Sequence, residues 1–115
     1  MTDRAPTGDE LVGIMAALSN PIRVQILARL SGGRDYVSRL AREIGISRPL
    51  LHMHLQRLEA AGLVAGTLEV SDEGKAMKFY EVTEFDVRLT PESITEASRT
   101  LTSPDPLKPH AKEES

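Results

Sequence analysis

The stretch Leu40-Ala41-Arg42-Glu43-Ile44-Gly45-Ile46-Ser47-Arg48-Pro49-Leu50-Leu51-His52-Met53-His54-Leu55-Gln56-Arg57-Leu58-Glu59-Ala60-Ala61-Gly62 holds two amphipathic segments parted by one glycine. In the first, Leu40, Ala41 and Ile44 recur at helical spacing while Arg39, Arg42 and Glu43 fall on the other side. Gly45 ends it after about two turns, and Ser47 opens the next helix only two residues later. That second helix spans Arg48 to Ala61. Leu51, Leu55 and Leu58 form its inner stripe at i, i+4 and i+7, and Gly62 supplies the terminating left-handed residue. Its other face keeps Arg48, Pro49, His52, Met53, Gln56 and Arg57.

Working outward, Asn20-Pro21 marks another start: Asn caps free backbone donors and Pro is tolerated at the first helical position. The helix from Pro21 to Leu30 carries Ile22, Val24, Ile26, Leu27 and Leu30, a set wide enough for a central position, and Ser31-Gly32-Gly33 stops it. Before it, Leu11, Ile14, Met15 and Leu18 predict an amphipathic helix from Asp9 to Leu18. Ser38 is placed to cap the helix holding Leu40.

Beyond Gly62 the period shifts from helical to alternating. Val64, Leu68 and Val70, the turn Asp72-Glu73-Gly74, then Phe79, Tyr80 and Val82 predict a β-hairpin over residues 63–82. Phe85, Val87 and Leu89 alternate with Asp86 and Arg88, an extended piece able to pair with a sheet edge in its own subunit or across a dimer. Thr90-Pro91-Glu92 repeats the cap-then-proline signal and opens a last helix through Leu101, with Ile94, Ala97 and Leu101 on one side. Residues 1–8 are expected to be a disordered lead and 102–115 a disordered tail, leaving one domain over 9–101.

Composition agrees with one mainly helical domain. The 115 residues include two Phe, two Tyr and no Trp, so the core must rest on aliphatic side chains of helices. Without cysteine there is no disulfide framework, thiolate metal site or thiol nucleophile. No run approaches the roughly 18 apolar residues that span a bilayer, and the polar start is unlike a secretory signal. No membrane association and a cytoplasmic location are therefore expected. Net charge is -3, yet Asn20 to Arg57 holds seven Arg against Asp35 and Glu43. A basic middle lies between acidic ends.

Two short helices around a tight glycine turn, the second with polar residues at its start and a hairpin after it, suit entry into the DNA major groove. Arg48, His52 and Gln56 follow one line of the helix and can reach base edges, with Met53 and Pro49 beside them. Ser38, Arg39, Ser47 and Arg57 join this candidate set, and Lys75 and Lys78 of the hairpin would lie on phosphates or in the minor groove. The expected fold is therefore a winged helix-turn-helix, mainly α with a small β-hairpin wing, and the expected partner is double-stranded DNA.

The order helix, helix, helix-turn-helix, hairpin, helix resembles the ArsR/SmtB family of winged-helix transcriptional regulators over roughly residues 11–83. The matching stretches are Ala17-Leu18-Ser19-Asn20-Pro21-Ile22-Arg23-Val24-Gln25-Ile26-Leu27, Leu40-Ala41 with Ile44-Gly45-Ile46-Ser47, His54-Leu55-Gln56-Arg57-Leu58, and Ala61-Gly62-Leu63-Val64. The resemblance implies a sequence-specific regulator, of repressor type, bound as a homodimer to a partly palindromic operator. It implies dimerisation through the first and last helices, here Leu11, Ile14, Met15, Leu18, Ile94, Ala97 and Leu101. His54 stands where the family pattern has its His, at the boundary between DNA-facing and core-facing sides, and joins the candidate contacts.

The chain also departs from that pattern. The family's metal-sensing cysteines, and its Asp and His on the last helix, are missing, and His52 and His54 stand two apart on a helix and point in different directions. No metal and no cofactor are expected. Met77, Phe79, Phe85 and Ile94 read as ordinary core, the other reading being an apolar space for an unknown small-molecule or protein effector. No nucleophile motif or phosphate loop suggests an enzyme. A winged helix serving as a protein-interaction module is the rival function, but the helix from Arg48 has no acidic residue before Glu59.

Overall fold

The computed structural model describes residues 5–102. Five helices run in the order α1 Gly8–Leu18, α2 Pro21–Leu30, α3 Val37–Ile44, α4 Arg48–Ala60 and α5 Pro91–Ser98. Three strands, β1 Asp35–Tyr36, β2 Val64–Val70 and β3 Ala76–Val82, form an antiparallel sheet in the order β1-β3-β2. This is the winged helix-turn-helix that the pattern predicts.

Local capping explains where the helices start. The side chain of Asn20 accepts from the backbone N–H of Ile22 at 2.8 Å and of Arg23 at 3.4 Å, and Pro21 follows at the first helical position. Ser47 caps α4 by accepting from Leu50 N–H at 3.3 Å, with Pro49 in the first turn. Thr90 and Ser93 cap α5 reciprocally, in the manner of a capping box. Gly45, at φ 90°, takes the left-handed conformation that ends α3 and returns its N–H to the carbonyl of Ala41 at 2.8 Å. The helix-turn-helix angle thus depends on one residue that tolerates positive φ.

The core lies where α2, α3 and α4 meet the sheet. Ile26, Leu40, Leu51, Leu55 and Leu58 are fully buried, joined by Leu63, Val64 and Tyr80 from the root of the hairpin. α1 and α2 change direction by 95° across Ser19–Asn20; Ile14 and Ala17 of α1 still join this core, and α1 also packs on α5. Among the described residues no single helix is long and apolar enough to cross a membrane.

Several expectations need correction. The start of the domain lies earlier than residue 9: Thr7 and Glu10 form a capping box, and Gly8 is buried in the first turn. Gly8 donates its N–H to Thr100 Oγ1 at 2.7 Å, and a Cβ there would meet the Ala97 carbonyl and the Leu101 side chain. Residues 1–4 and 103–115, the rest of the expected lead and tail, lie outside the described residues. Ser38 is not a cap, because α3 starts at Val37 with Tyr36 at its N-cap and no side-chain cap bond. Tyr36 instead belongs to β1, paired with Phe79 and meeting its ring edge-on at 5.8 Å. Phe85 to Leu89 forms no strand and pairs with neither edge of the β1-β3-β2 sheet. Only Val87 of that segment packs against the core.

Candidate nucleic-acid interface

α4 turns Leu51, His54, Leu55 and Leu58 inward, which fixes the opposite face outward. Arg48, Pro49, His52, Met53, Gln56 and Arg57 are all exposed there, as is the capping residue Ser47. Two large apolar side chains, Leu50 and Met53, are each 39% exposed on its first two turns. Sequence patterning missed Leu50, because it stands next to the stripe residue Leu51 and reads as part of one apolar run.

His54 is the candidate contact that the structure removes. It is 3% exposed, and its Nδ1 accepts a hydrogen bond from Nε of Arg23 at 3.1 Å. Burial, together with the charges of Arg23 and Arg57, pushes its imidazole below the usual histidine range, so it is held neutral. A buried neutral ring already bonded to α2 cannot face DNA. Its role is to join α2 and α4.

The basic middle of the chain also divides into engaged and available cations. Arg23 reaches the carbonyls of Ala16 and Ala17 at the end of α1. Arg29 pairs with Glu43, and Arg34 pairs with Glu69 while lying 4.3 Å above the Phe79 ring. Arg39, exposed at the start of α3, faces Asp35 at 3.8 Å, and Ser38 beside it is half-buried. Arg42, Arg48 and Arg57 have no ion-pair partner among the described residues and are exposed. Within this stretch the available positive charge thus lies on α3 and α4.

The wing is a regular hairpin, with Val64 paired to Val82 and Val70 to Ala76. Its five-residue turn is held by Ser71, whose N–H donates to the Lys75 carbonyl at 2.8 Å and whose Oγ accepts from Lys75 N–H at 3.1 Å. Lys75 and Lys78 are exposed, the Lys78 ammonium lying 5.7 Å from the Tyr80 ring. Asp72 and Glu73 share the turn with Lys75, whereas Lys78 lies within β3 opposite Leu68.

The residues implied as a dimer surface also divide. Leu11, Ile14 and Ala97 are buried within their own chain, and Met15 and Leu18 pack partly on its core. Leu11, Ile14 and Ala97 leave too little surface for a partner. Ile94, 53% exposed, and Leu101 remain outward, with Val12 of α1 at 48% and with Phe85 and Leu89. Met77, Phe79, Phe85 and Ile94 neither belong to the core, as expected of them, nor enclose a space: Met77 and Phe79 are half-buried, Phe79 against Tyr36 and Arg34, while Phe85 and Ile94 are exposed. Among the described residues no three His, Asp or Glu side chains stand together as metal ligands would.

Comparison with known proteins places this geometry. Residues 20–65 match the family model described as bacterial regulatory protein, arsR family. An uncharacterized HTH-type transcriptional regulator of Methanocaldococcus jannaschii is 39% identical over 85 residues, covering 74% of this chain and 88% of the relative. The chain belongs to the arsR family of bacterial regulatory proteins. This ArsR-family chain is a transcriptional regulator with a DNA-binding winged helix, not an enzyme. A homodimeric winged helix-turn-helix DNA-binding domain from Mycobacterium bovis superposes with a TM-score of 0.59 at 26% identity, covering 71% of this chain and 75% of that one. A transcriptional regulator homologue from Pyrococcus horikoshii superposes at 0.55 with 25% identity, covering 80% and 86%.

Proposed function

We propose that the protein is a sequence-specific repressor that binds a partly palindromic operator as a homodimer in the cytoplasm. α4 enters the major groove, where Arg48, His52 and Gln56 reach base edges, and Arg42 and Arg57 lie toward phosphates. Lys75 and Lys78 bring the wing to the backbone or the minor groove. The observation that carries this reading is the outward face of α4: its cations have no ion-pair partner among the described residues, while Arg23, Arg29 and Arg34 are engaged elsewhere.

The dimer is supported by the homodimeric state of the Mycobacterium bovis domain and by the exposed Val12 on α1, Ile94 on α5 and Leu101 just after it. Two-fold symmetry would present two copies of α4 to successive turns of one DNA face, hence an inverted repeat. Occupancy of such a site represses by excluding polymerase. The test is selection of bound duplexes from a random pool, followed by affinity at rising salt and transcription in vitro from a promoter carrying the winner. An enriched inverted repeat, a steep salt dependence and loss of transcript are expected. No enrichment at any salt concentration would overturn the reading in favour of a protein-interaction module.

A further inference from the structure

α4 presents a face whose centre is apolar and whose margins are basic. With Leu51, His54, Leu55 and Leu58 inward, the line most directly opposite is Pro49, Met53, Gln56 and Ala60, spaced i, i+4, i+7 and i+11. Leu50 and Arg57 flank this line on one side, Arg48 and His52 on the other. All eight are exposed. A single exposed Leu on a surface helix requires no explanation. Here three apolar residues, Pro49, Leu50 and Met53, sit together on the first two turns, the part of a recognition helix that contacts base edges.

The occupant follows from the chemistry of the groove. Arg57 on one margin of the strip suits a phosphate, and Arg48 and His52 on the other reach base edges, so the strip itself would face the floor of the groove. The apolar group that base pairs display in the major groove is the C5-methyl of thymine. Cytosine lacks it, so an apolar edge separates two pyrimidines that a phosphate contact cannot tell apart. Resting on the DNA-binding reading above, we propose that Pro49, Leu50 and Met53 form a reading edge for thymine methyl groups and so help set operator specificity.

The experiment replaces each thymine of the selected operator by uracil, one at a time. The change removes the methyl and leaves the base-pairing hydrogen bonds intact, and the protein stays wild type, so folding is not at issue. One to two positions per half-site are expected to lose affinity about threefold to fourfold each, the value of one buried methyl. In the Leu50→Ala and Met53→Ala proteins, with thermal midpoints unchanged, the position read by the truncated side chain should become indifferent to uracil. Indifference of the wild type at every position would overturn the proposal. So would equal losses in wild type and both variants, which would assign the effect to DNA stiffness. Failure of selection to enrich any sequence is a separate outcome: it would remove the proposed DNA reading, and the methyl-reading edge with it.

Discussion

Arg23 donates through Nε to the buried Nδ1 of His54 at 3.1 Å, and its Nη1 reaches the carbonyl of Ala17 at 3.3 Å. One guanidinium therefore joins the end of α1, the start of α2 and the middle of α4. The position is also electrostatically favourable, because a cation beside the last carbonyls of α1 complements the helix dipole. Arg23→Ala should destabilise the fold by about 1–3 kcal/mol, chiefly through the acceptor left buried without a donor. Urea unfolding would measure it, and Arg23→Lys should recover only part, because one ammonium cannot reproduce the spread of the guanidinium.

The same contact makes stability fall with acid. In the unfolded chain His54 titrates near its ordinary 6.5, and in the folded chain it titrates lower, because burial, Arg23 and Arg57 all disfavour the imidazolium. Between those two values the unfolded chain binds more protons, so stability is full above 6.5 and is lost as pH drops toward the folded value. His54→Asn keeps an acceptor for Arg23 without the titration. Its urea midpoint should stay flat across this window while that of the wild type declines. Equal declines would remove His54 as the cause; Asp9, held low by hydrogen bonds from Thr102, should act only at more acid pH.

On the DNA face, helix and wing should respond differently. Arg48→Ala and Gln56→Ala should each cost about 1–3 kcal/mol on the selected operator and relax its preference at one position. Lys75→Ala and Lys78→Ala should weaken all duplexes alike and lower the salt slope by about 1 each. Asp72→Asn with Glu73→Gln should tighten binding without altering preference, because those carboxylates share the wing tip with Lys75. Competition titrations at several salt concentrations read all of these together.

What could be read in the sequence was local. Asn20-Pro21, Ser47 before Arg48-Pro49, and Thr90-Pro91 mark their helix starts because a cap is formed within a few residues, and the shift to alternation after Gly62 marks the hairpin. The capping box of Thr7 and Glu10 was legible too, but Gly8 between them reads as a breaker rather than as close packing against Ala97 and Leu101. β1 carried no signal, since two residues cannot show alternation and their pairing lies more than forty residues away in β3. His54 was misplaced for a different reason: it stands three residues after Leu51 and four before Leu58, within the inward stripe, but a histidine reads as polar, and its partner Arg23 is 31 residues distant.

The dimer surface provides the sharpest contrast between two side chains that periodicity treats alike. Leu11 and Ile94 each lie on an amphipathic helix, and the family resemblance assigns both to the subunit interface. Leu11 is 9% exposed and belongs to its own chain, whereas Ile94 is 53% exposed. Leu11→Ala should therefore cost about 2–5 kcal/mol of folding stability in the cavity it leaves. Ile94→Asp should leave the thermal midpoint of the isolated protomer nearly unchanged, because its side chain is already in water. In sedimentation equilibrium Ile94→Asp should shift the protein to monomer, since burying an unpaired carboxylate opposes association. Operator affinity should fall with it, as two half-sites are no longer held by one molecule. A dimeric Ile94→Asp protein with unchanged operator affinity would move the interface away from α5, leaving Val12, Phe85 and Leu89 as the next exposed apolar side chains to substitute.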